Sequence, residues 1–228
     1  MRESRRHGAT RLVLVRHGET TGNRDRRFQT YDTPLSPDGR VQAECLAARL
    51  AAEPPFTALY ASDLTRALET AGVVGARLGL RAHSVVALRE LDLGDWKGRP
   101  HADMETVYAG GFEGWIAAGG TPRLPGPAGE CLDDLVTRAV ACLEDLIARH
   151  PGERVLLVSH GLTLGVLLAH AHGWDQVEAF RSRRVRLANT AVSEVERDTT
   201  GAWRCLVVGC TAHLPPALSA AGSGIGSA

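Results

Sequence analysis

Two short apolar runs in this chain end in the same way, at a histidine followed by a glycine. The first is RLVLVRHG, residues 11–18, and the second is RVLLVSHG, residues 154–161. A continuous run of Val and Leu of this length is typical of a strand buried on both faces, as found in parallel sheets covered by helices. The two runs therefore favour an α/β fold.

The rest of the chain alternates between helical and strand patterns. Amphipathic helices are predicted over residues 36–53, 63–79, 129–150 and 162–173, and further strands over 57–62, 82–88, 190–197 and 203–210. Ser36 is the predicted N-cap of the first helix, with Pro37 in its first turn. The alternation predicts a three-layer α/β/α sandwich with a mostly parallel central sheet and helices on both faces.

A single domain is predicted over residues 11–214, because no shift in composition marks a second one. Within it, residues 94–129 are punctuated by Gly and Pro and are expected to form short helices and loops that act as a lid. Residues 1–10 are predicted to be a flexible basic N-terminus. Residues 215–228, rich in Gly, Ser and Ala, are predicted to be a disordered tail.

Charge and composition narrow the class of partner. The chain has 26 basic and 26 acidic residues, so no net charge draws it to nucleic acid or to a membrane, and a small molecule is expected. No apolar stretch is long enough to span a bilayer and the N-terminus lacks a signal-peptide core, so a cytoplasmic location is expected. The five cysteines lack metal-binding spacing, and neither a metal nor a cofactor is predicted. A homodimer is compatible with the sequence.

Chemically useful side chains follow the predicted strands. His17 and His160 each come directly after a strand, Arg66 lies early in the helix after the second strand, and Glu90 follows the third. Ligands of open α/β sheets bind at the carboxyl ends of the strands. Together with Arg16, these residues predict a cationic pocket with one acid, which suits an anionic substrate and phosphate above all.

Five motifs occur in an order that resembles one family. They are RHGET with Asn23, DTPLSPDGRVQA, SDLTRALET, LRELDLGDWKG and SHG. This set resembles the histidine phosphatase superfamily, also called phosphoglycerate mutase-like, over nearly the whole chain from about Arg11 to Leu214. A lone RHG would be a weak signal, but five motifs in the family's order are specific.

The resemblance implies a role for each residue of the predicted pocket. His17 would be the nucleophile that forms a phosphohistidine, and Glu90 would protonate the leaving oxygen and then activate water. The phosphoryl oxygens would be held by Arg16, Arg66 and His160. The predicted substrate-binding set adds Asn23, Gly161 through its backbone N–H, Thr20 and Gln29. Asp92 remains an alternative to Glu90 as the acid.

The expected function is that of a metal-independent phosphomonoesterase of the histidine acid-phosphatase type, acting on small phosphorylated metabolites. The short interval between Glu90 and His160 favours a phosphatase, because mutases of this superfamily carry a longer, arginine-rich insert there. A cofactor-dependent phosphoglycerate mutase is the alternative, and an inactive phosphate-binding module is a third hypothesis. The RSRRVR segment, residues 181–186, is either a nucleic-acid patch or a polar face with one arginine reaching the pocket.

Overall fold

The computed structural model describes residues 8–219 and contains a six-stranded sheet. Its strands are β1 (Thr10–Arg16), β2 (Ala58–Ala61), β3 (Ala82–Ser84), β4 (Arg154–Ser159), β5 (Val192–Arg197) and β6 (Trp203–Cys210). Their spatial order is β3-β2-β4-β1-β5-β6. The four strands from β3 to β1 are parallel, whereas β5 runs antiparallel to both β1 and β6. The predicted mostly parallel sheet is confirmed.

Nine α-helices are assigned within the described residues. They are α1 (Thr21–Arg24), α2 (Pro37–Ala51), α3 (Thr65–Leu78), α4 (His101–Glu105), α5 (Gly111–Ala117), α6 (Leu132–Arg149), α7 (Gly161–His172), α8 (Gln176–Arg181) and α9 (Pro216–Ser219). Helix α2 begins as predicted, with the Ser36 side chain accepting a hydrogen bond from the backbone N–H of Gly39 at 3.0 Å. Helices α1 and α8 were not predicted from the sequence.

The two faces of the sheet carry separate apolar cores, which confirms the α/β/α sandwich. On β1, Val13 and Val15 pack with the buried side chains of α2 and α3. The alternate residues Leu12 and Leu14 pack with the buried side chains of α6 and α7. All four side chains are fully buried, and burial of a Val or Leu side chain stabilises the fold by about 1.5–3 kcal/mol.

The strand predicted over residues 82–88 is shorter in the structure than predicted. Strand β3 ends at Ser84, and residues 86–88 form a 3-10 turn. β3 lies at the sheet edge and pairs only with β2 over three residues. Val86 is therefore exposed, while the turn buries Leu88 and directs the chain toward Glu90. The apolar residues of this segment are explained by the turn rather than by a longer strand.

The chain ends are ordered over part of the length predicted to be flexible. Thr10 begins β1 and pairs with Arg197 of β5. Its hydroxyl also donates a hydrogen bond to the carbonyl of His150 at 2.9 Å. Residues 216–219 form a single helical turn. Residues 1–7 and 220–228, on which the rest of these two predictions falls, lie outside the described residues.

Residues 94–129 contain a 3-10 turn (Gly94–Trp96) and the short helices α4 and α5 with connecting turns. Buried side chains of this segment, among them Trp96, Met104 and Trp115, belong to the same core as α6 and α7. The segment is therefore packed onto the domain. Within residues 8–219, no helix combines the length and hydrophobicity needed to cross a membrane.

Candidate active site

A cavity of about 460 Å³ lies at the carboxyl ends of the parallel strands. Its lining includes most of the predicted site residues, namely Arg16, His17, Gln29, Arg66, Glu90 and Gly161. They converge because β1 and β4 are neighbours and their register places Arg16 opposite Ser159. The residues that follow the two strands, His17 and His160, are consequently adjacent, with ring centroids 5.1 Å apart.

The imidazole of His17 is held in one tautomer. Its Nδ1 lies 2.7 Å from the carbonyl oxygen of Gly18. A carbonyl can only accept a hydrogen bond, so Nδ1 carries the proton of the neutral ring and Nε2 keeps its lone pair. Burial, followed by the charges of Arg66 and Arg16, lowers the pKa of His17 well below its usual range. The ring is therefore neutral near pH 7 and has a nucleophilic nitrogen.

Close backbone packing fixes the loop that carries His17. A Cβ on Gly18 would lie 2.5 Å from the carbonyl oxygen of Gly39, so only glycine allows the loop to approach the start of α2. The backbone N–H of Gly18 donates to the Thr70 hydroxyl at 3.1 Å, and the Asn189 amide donates to the His17 carbonyl at 3.0 Å. The glycine of the RHG motif is thus a requirement of packing.

His160 is fully buried beside His17. Its Nε2 lies 2.8 Å from the hydroxyl of Ser62, whereas its Nδ1 has no hydrogen-bond partner among the described residues. Burial, with Arg66, His17 and Arg16 adding their charges, lowers the pKa of His160 well below its usual range. Ser62, which the sequence analysis did not single out, orients this ring.

Two buried guanidinium groups supply the positive charge of the site. Arg16 donates to the carbonyl of Leu187 at 2.6 Å, and Arg66 donates to the carbonyl of Thr30 at 2.9 Å. Burial is the main cause that lowers the pKa of each arginine to about 10, and Glu90 opposes it. Both groups therefore stay cationic at neutral pH. The Nε of Arg66 is buried without a hydrogen-bond partner among the described residues.

Two buried cations lie close to His17. Arg16 and Arg66 are 3% and 4% exposed, and Glu90 is the carboxylate whose charge acts on both of them. Burying an arginine is costly unless an anion compensates its charge. These two buried cations, with the Nε of Arg66 unpartnered among the described residues, therefore suit this end of the cavity to an anionic ligand.

Glu90 is fixed by the first turn of α7. Its Oε2 accepts from the backbone N–H of Leu162 at 3.0 Å, and its Oε1 accepts from the backbone N–H and the hydroxyl of Thr163 at 3.1 and 3.2 Å. The carboxyl group therefore sits at the positive end of a helix and lines the cavity. These bonds hold the carboxyl group facing the cavity, where it can exchange a proton with a bound ester or water.

The rival acid, Asp92, is engaged elsewhere. It is bonded to the hydroxyl of Tyr31, to the Lys97 ammonium at 2.7 Å and to the backbone N–H of Gly94 at 2.8 Å. Burial would raise the pKa of Asp92, but the bonds from Lys97 and Tyr31 outweigh it and lower the pKa. An ionised carboxylate in a salt bridge is a poor proton donor, so the geometry favours Glu90.

Arg138 on α6 holds the segment that carries Glu90, and no sequence pattern pointed to this residue. Its guanidinium donates to the carbonyls of Ala87, Arg89 and Glu90 at 3.0, 2.7 and 2.9 Å. It also forms two hydrogen bonds to the Glu130 carboxylate at 2.7 and 2.8 Å. Only the forked guanidinium can serve these acceptors together, so Arg138 is a positioning residue for the acid.

We expect Arg138→Lys to lower kcat by roughly tenfold to a hundredfold with little change in KM, because Glu90 loses its alignment. The loss in kcat/KM, which reports the step that releases the alcohol, should be larger for an alkyl phosphate, which needs a proton on its leaving group, than for 4-nitrophenyl phosphate. Steady-state kinetics on both esters measure this. Arg123→Lys, at an exposed ion pair with Asp134, is the matched control and should have no effect. Equal losses on both esters would contradict a positioning role.

Three predicted site residues are not in the lining of the cavity: His160, which is buried behind it, and Thr20 and Asn23. Thr20 is the N-cap of α1: it accepts from the backbone N–H of Asn23 at 3.0 Å. In return, the Asn23 side-chain oxygen accepts from the backbone N–H and the hydroxyl of Thr20 at 3.2 and 2.9 Å. This capping box occupies both side chains, which explains their placement. Gln29 and Gly161 do line the cavity.

The buried histidines predict an acid-sensitive fold. An unfolded histidine has a pKa of about 6.5, and burial lowers the folded pKa of His17 and His160 below it. Below pH 6.5 the unfolded chain therefore binds protons that the folded chain does not, and stability is lost as the pH falls. Each histidine contributes up to about 1.4 kcal/mol per pH unit to the unfolding free energy.

Urea unfolding in phosphate-free buffer between pH 7.5 and 5 measures how the unfolding free energy depends on pH. His17→Gln should weaken this dependence. An unfolding free energy that stays constant from pH 6.5 to 5 would contradict it.

Comparison with known proteins gives a consistent picture. The family model of the histidine phosphatase superfamily (branch 1) matches residues 12–211. The Enterobacter sp. protein named "Probable phosphoglycerate mutase GpmB" is 36% identical over 215 residues, covering 91% of this chain and 96% of that protein.

Solved structures extend the similarity. The mycobacterial glucosyl-3-phosphoglycerate phosphatase shares 30% identity with a TM-score of 0.76, over 89% of this chain and 99% of that one. Bacillus stearothermophilus YhfR shares 32% identity with a TM-score of 0.78, over 90% of this chain and 99% of that one. The resemblance found in the motifs is confirmed along the whole domain.

Proposed function

The chain belongs to the histidine phosphatase superfamily, branch 1, and from this membership we propose that it is a metal-independent phosphomonoesterase that works through a phosphohistidine on His17. Its similarity to phosphatases and mutases supports an enzyme that acts on phosphate esters. The substrates are small phosphorylated metabolites. One observation carries the proposal: a neutral imidazole whose Nε2 keeps its lone pair lines the same cavity as two buried arginines, groups that bind phosphoryl oxygens.

In the first step, the lone pair of His17 Nε2 attacks phosphorus, and the bond from phosphorus to the ester oxygen breaks. Glu90 gives a proton to the departing oxygen, which leaves as the alcohol. Arg16 and Arg66 stabilise the charge that spreads over the phosphoryl oxygens as phosphorus is transferred in line. The product is a phosphohistidine whose Nδ1–H remains bonded to the Gly18 carbonyl.

In the second step, water attacks the phosphohistidine. Glu90, now ionised, takes a proton from the water while the bond from phosphorus to Nε2 breaks, and the imidazole recovers its lone pair. Inorganic phosphate leaves and the site returns to its starting state. The same carboxyl group thus acts first as acid and then as base.

The positive charge needed for this chemistry comes from Arg16 and Arg66, and the neutral ring of His160 lies beside His17. Within residues 8–219, no group of three or more His, Cys, Asp or Glu side chains is arranged to hold a metal ion. We therefore expect dialysis against EDTA to leave the rate of phosphate release from a panel of phosphomonoesters unchanged. Loss of activity on dialysis and its recovery with a divalent cation would contradict the metal-independent proposal.

The alternative activity, a phosphoglycerate mutase, has support in the name of the Enterobacter relative. A mutase must return the phosphoryl group to a bound phosphoglycerate instead of to water. Isomerisation of 3-phosphoglycerate that depends on a bisphosphorylated primer and is faster than hydrolysis would replace the phosphatase by the mutase. An inactive phosphate-binding module is disfavoured because the nucleophile, the acid and both arginines are present together.

A further inference from the structure

A buried serine lies beside the second histidine of the site. Ser62 follows β2 directly, as His160 follows β4, and these parallel strands are neighbours with Ala61 opposite Val158. Ser62 and His160 are both fully buried, and the Ser62 Oγ lies 2.8 Å from Nε2 of the His160 ring. The carboxyl ends of two neighbouring strands therefore bring a hydroxyl and an imidazole into direct contact.

The direction of this hydrogen bond follows from the other partner of the Ser62 hydroxyl. A hydroxyl has one proton to donate and two lone pairs that accept. Its second contact among the described residues is the backbone N–H of Leu64, which donates to Oγ at 3.3 Å. If Nε2 of His160 donated as well, the Ser62 proton would be buried without an acceptor, which is rare in folded proteins. The hydroxyl therefore donates its proton to Nε2.

The proton of the His160 ring is then on its other nitrogen. Burial, followed by the charge of Arg66, lowers the pKa of His160 well below its usual range, so the ring is neutral near pH 7. Because Nε2 accepts from Ser62, the neutral ring carries its proton on Nδ1. This Nδ1 is buried and has no hydrogen-bond partner among the described residues. His160 thus holds a buried donor that lacks an acceptor in this part of the chain.

A phosphoryl group can supply the acceptor. His17 and Arg66 line the cavity, and the rings of His17 and His160 are 5.1 Å apart. Because His160 is buried behind this lining, only the innermost atoms of a ligand can reach it. In an ester whose phosphorus faces His17, these atoms are the phosphoryl oxygens. The other tautomer of His160 would present a lone pair at Nδ1, which repels such an oxygen.

We infer that Ser62 is a positioning residue, whose hydroxyl keeps His160 in the tautomer that donates from Nδ1 to the phosphoryl group. Ser62 itself does not touch the substrate and acts through the ring. A donor that is fixed before the ester binds stabilises the charge on the phosphoryl oxygens in both transfer steps. Ser62 has this role only if the proposed function holds, because the phosphoryl group is the acceptor.

NMR of the wild-type protein labelled with nitrogen-15 histidine tests the tautomer and needs no functional variant. At pH 7 the His160 ring is expected to be neutral with its proton on Nδ1, and its signals are identified by their loss in His160→Gln. Inorganic phosphate should shift the Nδ1–H proton signal downfield, because this group gains an acceptor. A proton on Nε2, or an Nδ1–H signal that phosphate does not shift, would overturn the role of Ser62.

Ser62→Ala removes the hydroxyl and leaves the tautomer of His160 unspecified, so its proton should be shared between the two ring nitrogens. We expect kcat/KM to fall by roughly tenfold to a hundredfold, somewhat less than for loss of a preorganised donor itself. The phosphoryl oxygens carry charge whatever the alcohol is. The loss should therefore be the same for an alkyl phosphate and for 4-nitrophenyl phosphate, in contrast to a defect in the acid.

Two further variants separate this role from a contribution to folding. Ser193→Ala removes another fully buried hydroxyl, which accepts from the backbone N–H of Gly209 at 2.9 Å, and should change neither kcat/KM nor the His160 signals. In a His160→Gln background, Ser62→Ala should cause little further loss, because Ser62 acts through the ring. Additive losses in the double variant would contradict this.

Failure of this role and failure of the proposed function give different results. Undiminished hydrolysis by Ser62→Ala would overturn the role of Ser62 and leave the phosphatase standing. Absence of phosphate release from every ester of the panel would overturn the proposed function, and with it the role of Ser62 in phosphoryl transfer, whatever the tautomer of His160.

Discussion

Replacement of His17 by alanine is expected to lower kcat for phosphomonoester hydrolysis by on the order of 10⁴-fold or more, as found when an enzyme loses its covalent nucleophile. The remaining arginines can still bind the phosphoryl group, so the affinity for inorganic phosphate should change far less than kcat. Steady-state kinetics and phosphate binding by calorimetry measure the two effects separately.

A second variant separates chemistry from folding. His17→Asn places an amide donor about where Nδ1 meets the Gly18 carbonyl but has no nucleophilic nitrogen, so it should be as inactive as the alanine variant. His170→Gln, at a half-exposed histidine outside the cavity, is the control and should retain full activity. An active His17→Asn enzyme would mean that His17 is not the nucleophile.

The second large effect is expected for Glu90→Gln. General acid catalysis contributes roughly 10²–10⁴-fold, so hydrolysis of alkyl phosphates, whose leaving groups need a proton, should slow by about this factor. 4-Nitrophenolate leaves without a proton, and the first step on 4-nitrophenyl phosphate should be much less affected. The second step still lacks its base, so the phosphoenzyme should accumulate.

A stopped-flow burst of 4-nitrophenolate, approaching one equivalent per active site, is the expected signature of Glu90→Gln. Asp92→Asn, at the rival carboxyl group, should show no burst and only a modest loss that is the same for both leaving groups. If Asp92→Asn gave the burst and Glu90→Gln did not, the roles of the two acids would have to be exchanged.

The convergence of the site could be predicted from the sequence because strand ends determine it. His17 and His160 follow buried strands, and parallel neighbours in register bring their carboxyl ends together. Arg66 follows β2, the neighbour of β4, and Glu90 follows β3 at the edge of the sheet. Apolar periodicity and the motif order were therefore sufficient to place these four side chains.

Contacts between distant segments could not be predicted in this way. Arg138 lies about fifty residues from the carbonyls that it holds, and nothing in an amphipathic helix pattern distinguishes it from a solvated arginine. The pairing of Glu113 with Arg183 likewise depends on how α5 packs near α8. The sequence also could not show that Thr20 and Asn23 form a capping box instead of contacting the substrate, because both roles use the same residue types.

Cys131 has a local role at the start of a helix. Cys131 precedes α6, and its backbone N–H and thiol both donate to the Asp134 carboxylate, at 2.8 and 3.0 Å. The cysteine therefore takes the place of a hydroxyl residue at a helix N-cap. This position is outside the cavity lining and bears on the start of α6 rather than on the choice of substrate.

The most direct test of attack by His17 on phosphorus is to locate the phosphoryl group on the enzyme during turnover. Glu90→Gln is mixed with 4-nitrophenyl phosphate, quenched in base to preserve phosphohistidine, and digested for mass spectrometry. One phosphoryl group on the peptide that contains His17, absent from the His17→Asn, Glu90→Gln double variant, is the predicted result. Phosphate on another residue, or hydrolysis with no phosphoenzyme and no burst, would show that the neutral imidazole at the end of β1 does not attack phosphorus.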